Sequence, residues 1–154
     1  MGLRERITAD TKEAMKARDT ARLSTLRLIS AAIKDREIAA RVEGGDETGL
    51  GDADLTAILS KMVKQRQESA KAYEEGGRLE LAEREQDEIK VIQSYLPRQL
   101  SAEEVGAAID KAIADLGATS IRDMGRVMAE LRERHAGQMD FGAVGPVIKN
   151  RLMG

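Results

Sequence analysis

Apolar residues recur every three or four positions along most of this chain, which is the period of an amphipathic helix. Between residues 23 and 33 the apolar steps are three, three and four, so these side chains share one helical face. No stretch alternates apolar and polar residues as a half-buried strand would. The pattern predicts four helices before Pro97: about 3–16, about 20–41, one capped by Asp52 or Asp54 and stopped by Gly76-Gly77, and about 79–95.

The connection between the second and third of these helices has a different composition. Residues 43–51 hold four glycines and three acidic side chains. Such a segment buries too little apolar surface to offset the entropy lost when a chain becomes ordered. We therefore expect a mobile loop there.

Three shorter helices are predicted in the last part of the chain, each opened by a capping residue. Ser101 followed three residues later by Glu104 is the pattern of a capping box. Ser120 is predicted to cap the next helix, which ends at residues 135–137. Asp140 is predicted to cap the last helix.

Composition supports an all-α fold. The 154 residues contain two tyrosines, one phenylalanine and two prolines, and strong helix formers dominate the rest. The break at Pro97 predicts an N-terminal helical hairpin or bundle domain over 1–96 and a small three-helix domain over 97–154. No apolar run reaches the roughly 20 residues of a membrane helix, and no secretion signal is visible, so we expect a cytoplasmic protein that does not bind membranes.

The residues that most enzymes and metal sites use are scarce. The chain has no cysteine and one histidine, His135, which we interpret as a surface residue at a helix C-terminus. Phosphate-binding loops, dinucleotide-binding motifs and nucleophile elbows are absent from the sequence. We assign no catalytic residue, no metal ligand and no cofactor. An enzyme with a carboxylate or lysine site of unrecognised pattern remains an alternative.

Positive charge collects near the end of the chain. Beyond Gly117 there are six basic and four acidic side chains, although the formal net charge of the whole chain is −2. Gly125 lies in the predicted sixth helix, where glycine costs about 1 kcal/mol relative to alanine. It would allow close approach of another backbone, from a protein or a nucleic acid, and packing against a neighbouring helix explains it equally well. The candidate nucleic-acid-binding residues are Arg122, Gly125, Arg126, Arg132, Arg134, Lys149 and Arg151.

Several motifs together resemble the YqeY family over essentially the whole chain. They lie at residues 64–69, 73–78, 88–100 and 123–128, and the most specific is Ser-Tyr-Leu-Pro-x-Gln-Leu at 94–100. The C-terminal part is similar to the tail domain of the B subunit of the tRNA-dependent amidotransferase. That enzyme converts Glu or Asp mischarged on tRNA to Gln or Asn. Gln138 departs from the pattern, because a lysine often follows the glycine of this turn.

The resemblance implies an N-terminal helical domain followed by a tail-like three-helix domain. It does not carry over catalysis, because the domain that performs amide transfer has no counterpart here. A carbon–nitrogen ligase activity with glutamine as amido-N-donor belongs to the relatives.

The function implied for this chain is a non-catalytic module that binds tRNA or associates with the amidotransferase. Binding would be weak and salt-sensitive, since the net charge is slightly negative and stacking aromatics are few. DNA is not an expected ligand. The alternative is a helical adaptor that holds a partner protein in a groove.

Overall fold

The structure, a computed structural model, describes residues 2–42 and 50–153. Most of the predicted mobile loop at 43–51 lies outside the described residues. Within them there is no strand, which confirms the predicted all-α fold. The helices are α1 Leu3–Ala17, α2 Thr20–Val42, α3 Asp52–Glu75, α4 Leu79–Gln93, α5 Ala102–Leu116, α6 Met124–Arg134 and α7 Phe141–Met153, with a 3₁₀ turn at Ile121–Asp123 before α6.

The described residues form two compact units, Met1–Leu96 and Pro97–Gly154. In unit 1, α3 and α4 make a helical hairpin through the short turn at residues 76–78, and α1 and α2 pack beside them. The largest fully buried side chains of unit 1 are Leu26, Ile29, Leu55, Leu59 and Ile92. The apolar stripe predicted for α2 therefore faces the core.

The start of α3 differs from the prediction. Gly51 occupies the N-cap position, so the prediction that Asp52 or Asp54 caps α3 is wrong. The carboxylate of Asp54 instead accepts a hydrogen bond from the backbone N–H of Gly51 at 3.1 Å. That of Asp52 accepts one from the N–H of Leu3 at 3.3 Å, which ties the start of α1 to the start of α3. Both acids still lie in the first turn, where the helix dipole favours them.

Tyr95 joins the end of unit 1 to its beginning. Its ring is buried, and its hydroxyl donates a 2.6 Å hydrogen bond to the carboxylate of Asp10 on α1. The guanidinium of Arg6 lies 5.3 Å from the ring centroid, and Arg22 on α2 is 3.7 Å from the Asp10 carboxylate. Burial, followed by the hydrogen bond and charge of Asp10, raises the pKa of Tyr95 to about 12. The neutral tyrosine therefore acts as a donor at any physiological pH.

Unit 2 packs α5, α6 and α7 around one core. Ile109, Val127, Leu131 and Ile148 are fully buried there. The helix α5 begins with the predicted capping box: the hydroxyl of Ser101 accepts from the N–H of Glu104, and the Glu104 carboxylate accepts from the N–H of Ser101. It ends at Gly117, whose φ of 64° is the left-handed conformation that glycine adopts readily.

The sixth helix begins later than predicted. Ser120 precedes a 3₁₀ turn, and the α-helix starts only at Met124, so the predicted start of the α-helix just after Ser120 is wrong. The Asp123 carboxylate explains this tighter turn, because it accepts from the N–H groups of Thr119 and Ser120 at 3.0 and 3.3 Å. Asp140 does cap α7, since its carboxylate accepts from the N–H of Gly142 at 3.0 Å.

Candidate nucleic-acid interface

The predicted basic residues all lie in unit 2, but their side chains have different partners. Arg122 is in the 3₁₀ turn, Arg126, Arg132 and Arg134 are on α6, and Lys149 and Arg151 are on α7. Half of this set forms ion pairs inside the unit. These three arginines are Arg126, Arg134 and Arg151.

Arg134 and Arg151 each pair with an acid on α5. Arg134 contacts the carboxylates of Asp115 and Glu130, each at 2.9 Å. These two partners, Asp115 first, raise the pKa of Arg134. Arg151 reaches the Asp110 carboxylate at 2.8 Å and the backbone oxygen of Gly106 at 2.7 Å. Each arginine therefore links α5 to a later helix, which is a structural role.

Arg126 has a looser attachment. Its guanidinium lies 3.1 Å from the carboxylate of Asp123, and 58% of the side chain remains exposed. The pKa of Asp123 is lowered, first by the backbone N–H bonds from Thr119 and Ser120 and then by the charge of Arg126. Because surface ion pairs contribute little to stability, an incoming phosphate could compete for this guanidinium.

The other three cations are more available. Arg122 and Lys149 are exposed and have no ion-pair or hydrogen-bond partner among the described residues. The guanidinium of Arg132 lies 5.8 Å from the ring centroid of Phe141 and pairs with no acid of the described residues. In that part of the chain, the predicted cations without an acidic partner are therefore Arg122, Arg132 and Lys149.

Gly125 is exposed in the first turn of α6, between Arg122 and Arg126. A Cβ atom placed there would meet nothing within 4 Å. Gly106 and Gly145 differ, because a Cβ on Gly106 would lie 3.2 Å from Arg151, and one on Gly145 would lie 3.6 Å from two methionine methyl groups. Packing against a neighbouring helix, the other explanation of Gly125, is therefore wrong for the described part of the chain.

Polar groups of the turn between α6 and α7 form hydrogen bonds within unit 2. The side chain of Gln138 donates to the backbone oxygen of Arg98 at 3.1 Å, and its backbone oxygen accepts from the N–H of Leu100 at 2.9 Å. His135 Nδ1 lies 3.2 Å from the Gln138 amide oxygen. His135 is thus partly buried in this turn instead of being a free surface group. Gln138 therefore uses its side chain and its backbone oxygen in hydrogen bonds within unit 2.

Other kinds of site receive no support from the described residues. None of their His, Asp and Glu side chains group in threes as a metal ion would require. The helices within residues 2–42 and 50–153 are too short or too polar to cross a membrane.

Sequence reasoning missed the acidic partners of the arginines. Asp110 and Asp115 are on α5, far along the chain from Arg151 and Arg134, so no local spacing reveals those pairs. The local pairs are different, because Arg126 follows Asp123 of the 3₁₀ turn by three residues and Arg134 follows Glu130 of α6 by four. That spacing is a visible signal of neutralised charge on a helix.

These features define a small all-α protein of two helical units, whose C-terminal unit carries partly neutralised basic side chains and an exposed glycine at the start of α6. A family model described as Yqey-like protein matches residues 4–152. The chain therefore belongs to the YqeY family, as the sequence motifs indicated.

Two curated relatives illustrate how far the similarity extends. A protein of Eremothecium gossypii is 38% identical over 112 residues, which is 71% of this chain and 58% of that protein. One of Clavispora lusitaniae is 30% identical over 149 residues, which is 95% of this chain and 82% of that protein. Both are named altered inheritance of mitochondria protein 41, mitochondrial. The chain spans little more than half the length of three relatives that carry this name, between 54% and 58%.

These names correct one expectation. The prediction of a cytoplasmic protein is wrong, because relatives from several yeasts are named as mitochondrial proteins. The names mention neither tRNA nor an amidotransferase. The comparisons therefore show membership of the YqeY family and no more specific role.

Proposed function

We propose that this protein is a non-catalytic module that binds tRNA, in the manner expected of an amidotransferase-associated protein, through the surface at the start of α6. The observation that carries the proposal is the open backbone at Gly125. An exposed glycine in a helix is unfavourable compared with alanine, and no packing within the described residues accounts for it. Close approach of a ligand would account for it.

The basic side chains of unit 2 suit a phosphate backbone. Arg122 and Lys149 supply charges that no acid of the described residues neutralises. Arg126 adds an exposed guanidinium whose partner is a surface carboxylate. Phosphate contacts of this kind position a nucleic acid without reading its sequence. Because stacking aromatics are few, the surface would recognise the shape and backbone of tRNA.

The number of available cations sets the expected salt dependence. If the three cations without an acidic partner, Arg122, Arg132 and Lys149, are engaged, the affinity falls roughly 18- to 42-fold between 50 and 200 mM salt. If all six predicted cations contacted phosphate, the same change would be roughly 300- to 2,000-fold. The ion pairs of Arg134 and Arg151 therefore argue for weak binding with a shallow salt slope.

The test is binding of the purified full chain to total tRNA at these two salt concentrations, with mischarged Glu-tRNA as a second probe. We expect the double variant Arg122→Glu, Lys149→Glu to bind at least tenfold more weakly. A matched control, Lys61→Glu with Lys71→Glu, carries the same charge change on α3 and should bind like the unmodified chain. Arg126 and Arg134 are left intact because their replacement would also break ion pairs of unit 2.

Two results would contradict the proposal. One is the absence of binding to either tRNA at 50 mM salt. The other is an equal loss of affinity in the α3 control, which would mean that only net charge matters. Preference for mischarged Glu-tRNA over total tRNA would support the association with amide transfer.

A further inference from the structure

A second surface lies on α2, in unit 1, on the side of the helix away from the core. Leu28, Ile38 and Val42 are 43%, 49% and 83% exposed there, and Ala31 is exposed between them. The spacing of these four residues and Asp35 alternates between three and four, so they form one stripe along the helix. The stripe covers about 21 Å, at 1.5 Å for each residue of rise.

Three cations follow one edge of this stripe. Arg27, Lys34 and Arg41 are exposed and repeat every seven residues. None of them has a partner among the described residues. A seven-residue repeat keeps side chains on one side of a helix that packs along another helix. We call the stripe and this basic edge the α2 surface.

We propose that the α2 surface binds an amphipathic helix of a partner protein, one that presents an apolar stripe with acidic residues beside it. The apolar residues would pack into the partner's stripe, and the three cations would pair with its acids. Asp35 interrupts the stripe, and a buried polar position of this kind fixes the register of a helix pair. The partner should therefore carry a polar or basic residue opposite Asp35.

Charge excludes a second copy of the same face. Two α2 surfaces in an antiparallel pair would bring Arg27, Lys34 and Arg41 close to the same basic residues of the other copy, which is repulsive. In a parallel pair the two Asp35 side chains would face each other in the core, which is also repulsive. A nucleic acid fits less well than an acidic helix, because phosphates would leave the apolar side chains without a partner. This proposal uses other residues than the tRNA surface and stands independently of it.

The probe is a synthetic 21-residue peptide of three heptads, with Glu at positions e and g and Leu at positions a and d, except for Asn at the central a position to face Asp35. Its own copies repel each other, which keeps it available for binding. A second peptide with Lys in place of every Glu is the charge control. Binding to the full chain is measured by fluorescence anisotropy at low and high salt.

We expect the Glu peptide to bind at least tenfold more tightly than the Lys peptide. The triple variant Arg27→Glu, Lys34→Glu, Arg41→Glu should reverse this preference. The variant Leu28→Ser, Ile38→Ser should weaken both peptides by at least tenfold. A matched control, Lys61→Glu, Lys71→Glu, Lys111→Glu, should bind the Glu peptide nearly as well as the unmodified chain. Circular dichroism of each variant establishes that its helices remain folded.

Three outcomes would overturn the proposal. The first is no binding of the Glu peptide at millimolar concentration, and the second is equal binding of both peptides. The third is a combined result in which neither peptide binds the unmodified chain and the α2 triple variant loses tRNA binding. That result would mean that the α2 surface binds nucleic acid instead of a helix. Because the tRNA proposal is tested by Arg122 and Lys149, failure of one proposal is distinguishable from failure of the other.

Discussion

The substitution Gly125→Ala adds one carbon atom, and we expect it to raise the stability of unit 2 while it lowers the affinity for tRNA. The added Cβ meets nothing within 4 Å inside the protein, so it introduces no clash. Alanine also restricts the unfolded chain and favours the helix, which stabilises by roughly 0.5–1 kcal/mol in a helix interior. Gly125 lies in the first turn of α6, so we take the lower end, about 0.5 kcal/mol. For a unit of this size that raises the Tm by roughly 2–4 °C.

The same methyl group should weaken tRNA binding if a phosphate backbone approaches Gly125 closely. We expect a severalfold loss of affinity for total tRNA in a variant whose Tm is higher. Thermal unfolding by circular dichroism and a tRNA titration at 50 mM salt measure the two effects on the same sample. Ala129→Gly is the reverse control on the same helix, since it should lower the Tm and leave tRNA affinity nearly unchanged.

Two outcomes of this experiment would contradict these expectations, one for binding and one for stability. A higher Tm with unchanged tRNA affinity would refute the role of Gly125 in binding. A lower Tm would refute the structural reasoning, because it would mean that the position does not tolerate a Cβ.

Three further substitutions test the stability of the two units. Tyr95→Phe removes the hydrogen bond to Asp10 and should cost about 1–2 kcal/mol in urea unfolding, whereas Tyr73→Phe should cost almost nothing. Since the folded pKa of Tyr95 is raised to about 12, its contribution is complete below pH 10 and is lost as the pH rises through 12; a spectroscopic titration checks this. Ser101→Ala should cost about 1 kcal/mol by loss of the N-cap. The Arg98 hydrogen bonds and the cap lower the pKa of Glu104 to about 2, so its contribution is complete above pH 4.5 and lost as the pH falls to 2; Glu104→Gln should flatten the dependence of Tm on pH in that window.

Local sequence rules account for most of the helices. The capping boxes and glycine stops act within four residues, so Ser101 and Gly117 mark the ends of α5 from sequence alone. The rules were less successful at Ser120. Its backbone N–H donates to the carboxylate of Asp123, three residues later, and this hydrogen bond stabilises a 3₁₀ turn before the α-helix begins. They could not place the Tyr95–Asp10 hydrogen bond, because its partners are 85 residues apart.

The candidate site was only partly predictable for the same reason. The sequence identifies Arg122 and Lys149 as basic but cannot distinguish them from Arg151, whose acid partner lies 41 residues earlier. The α2 surface had a visible signal, since Leu28, Ile38 and Val42 fall outside the stripe that is buried. That signal is ambiguous without exposure values, because single exposed apolar residues are common in proteins.

The contact between Tyr95 and Asp10 also has a consequence for synthesis on the ribosome. Asp10 and Tyr95 are 85 residues apart, and chains elongate at about 5–20 residues per second, so roughly 4–17 s separate the addition of the two residues. During that interval α1 can pack only on α2 and α3 as they emerge, while the hydrogen bond that links it to the end of unit 1 cannot form. The unit-1 core thus stays incomplete until its final turn of chain leaves the exit tunnel. During that delay the apolar side chains of the unit-1 core remain open to a holding chaperone.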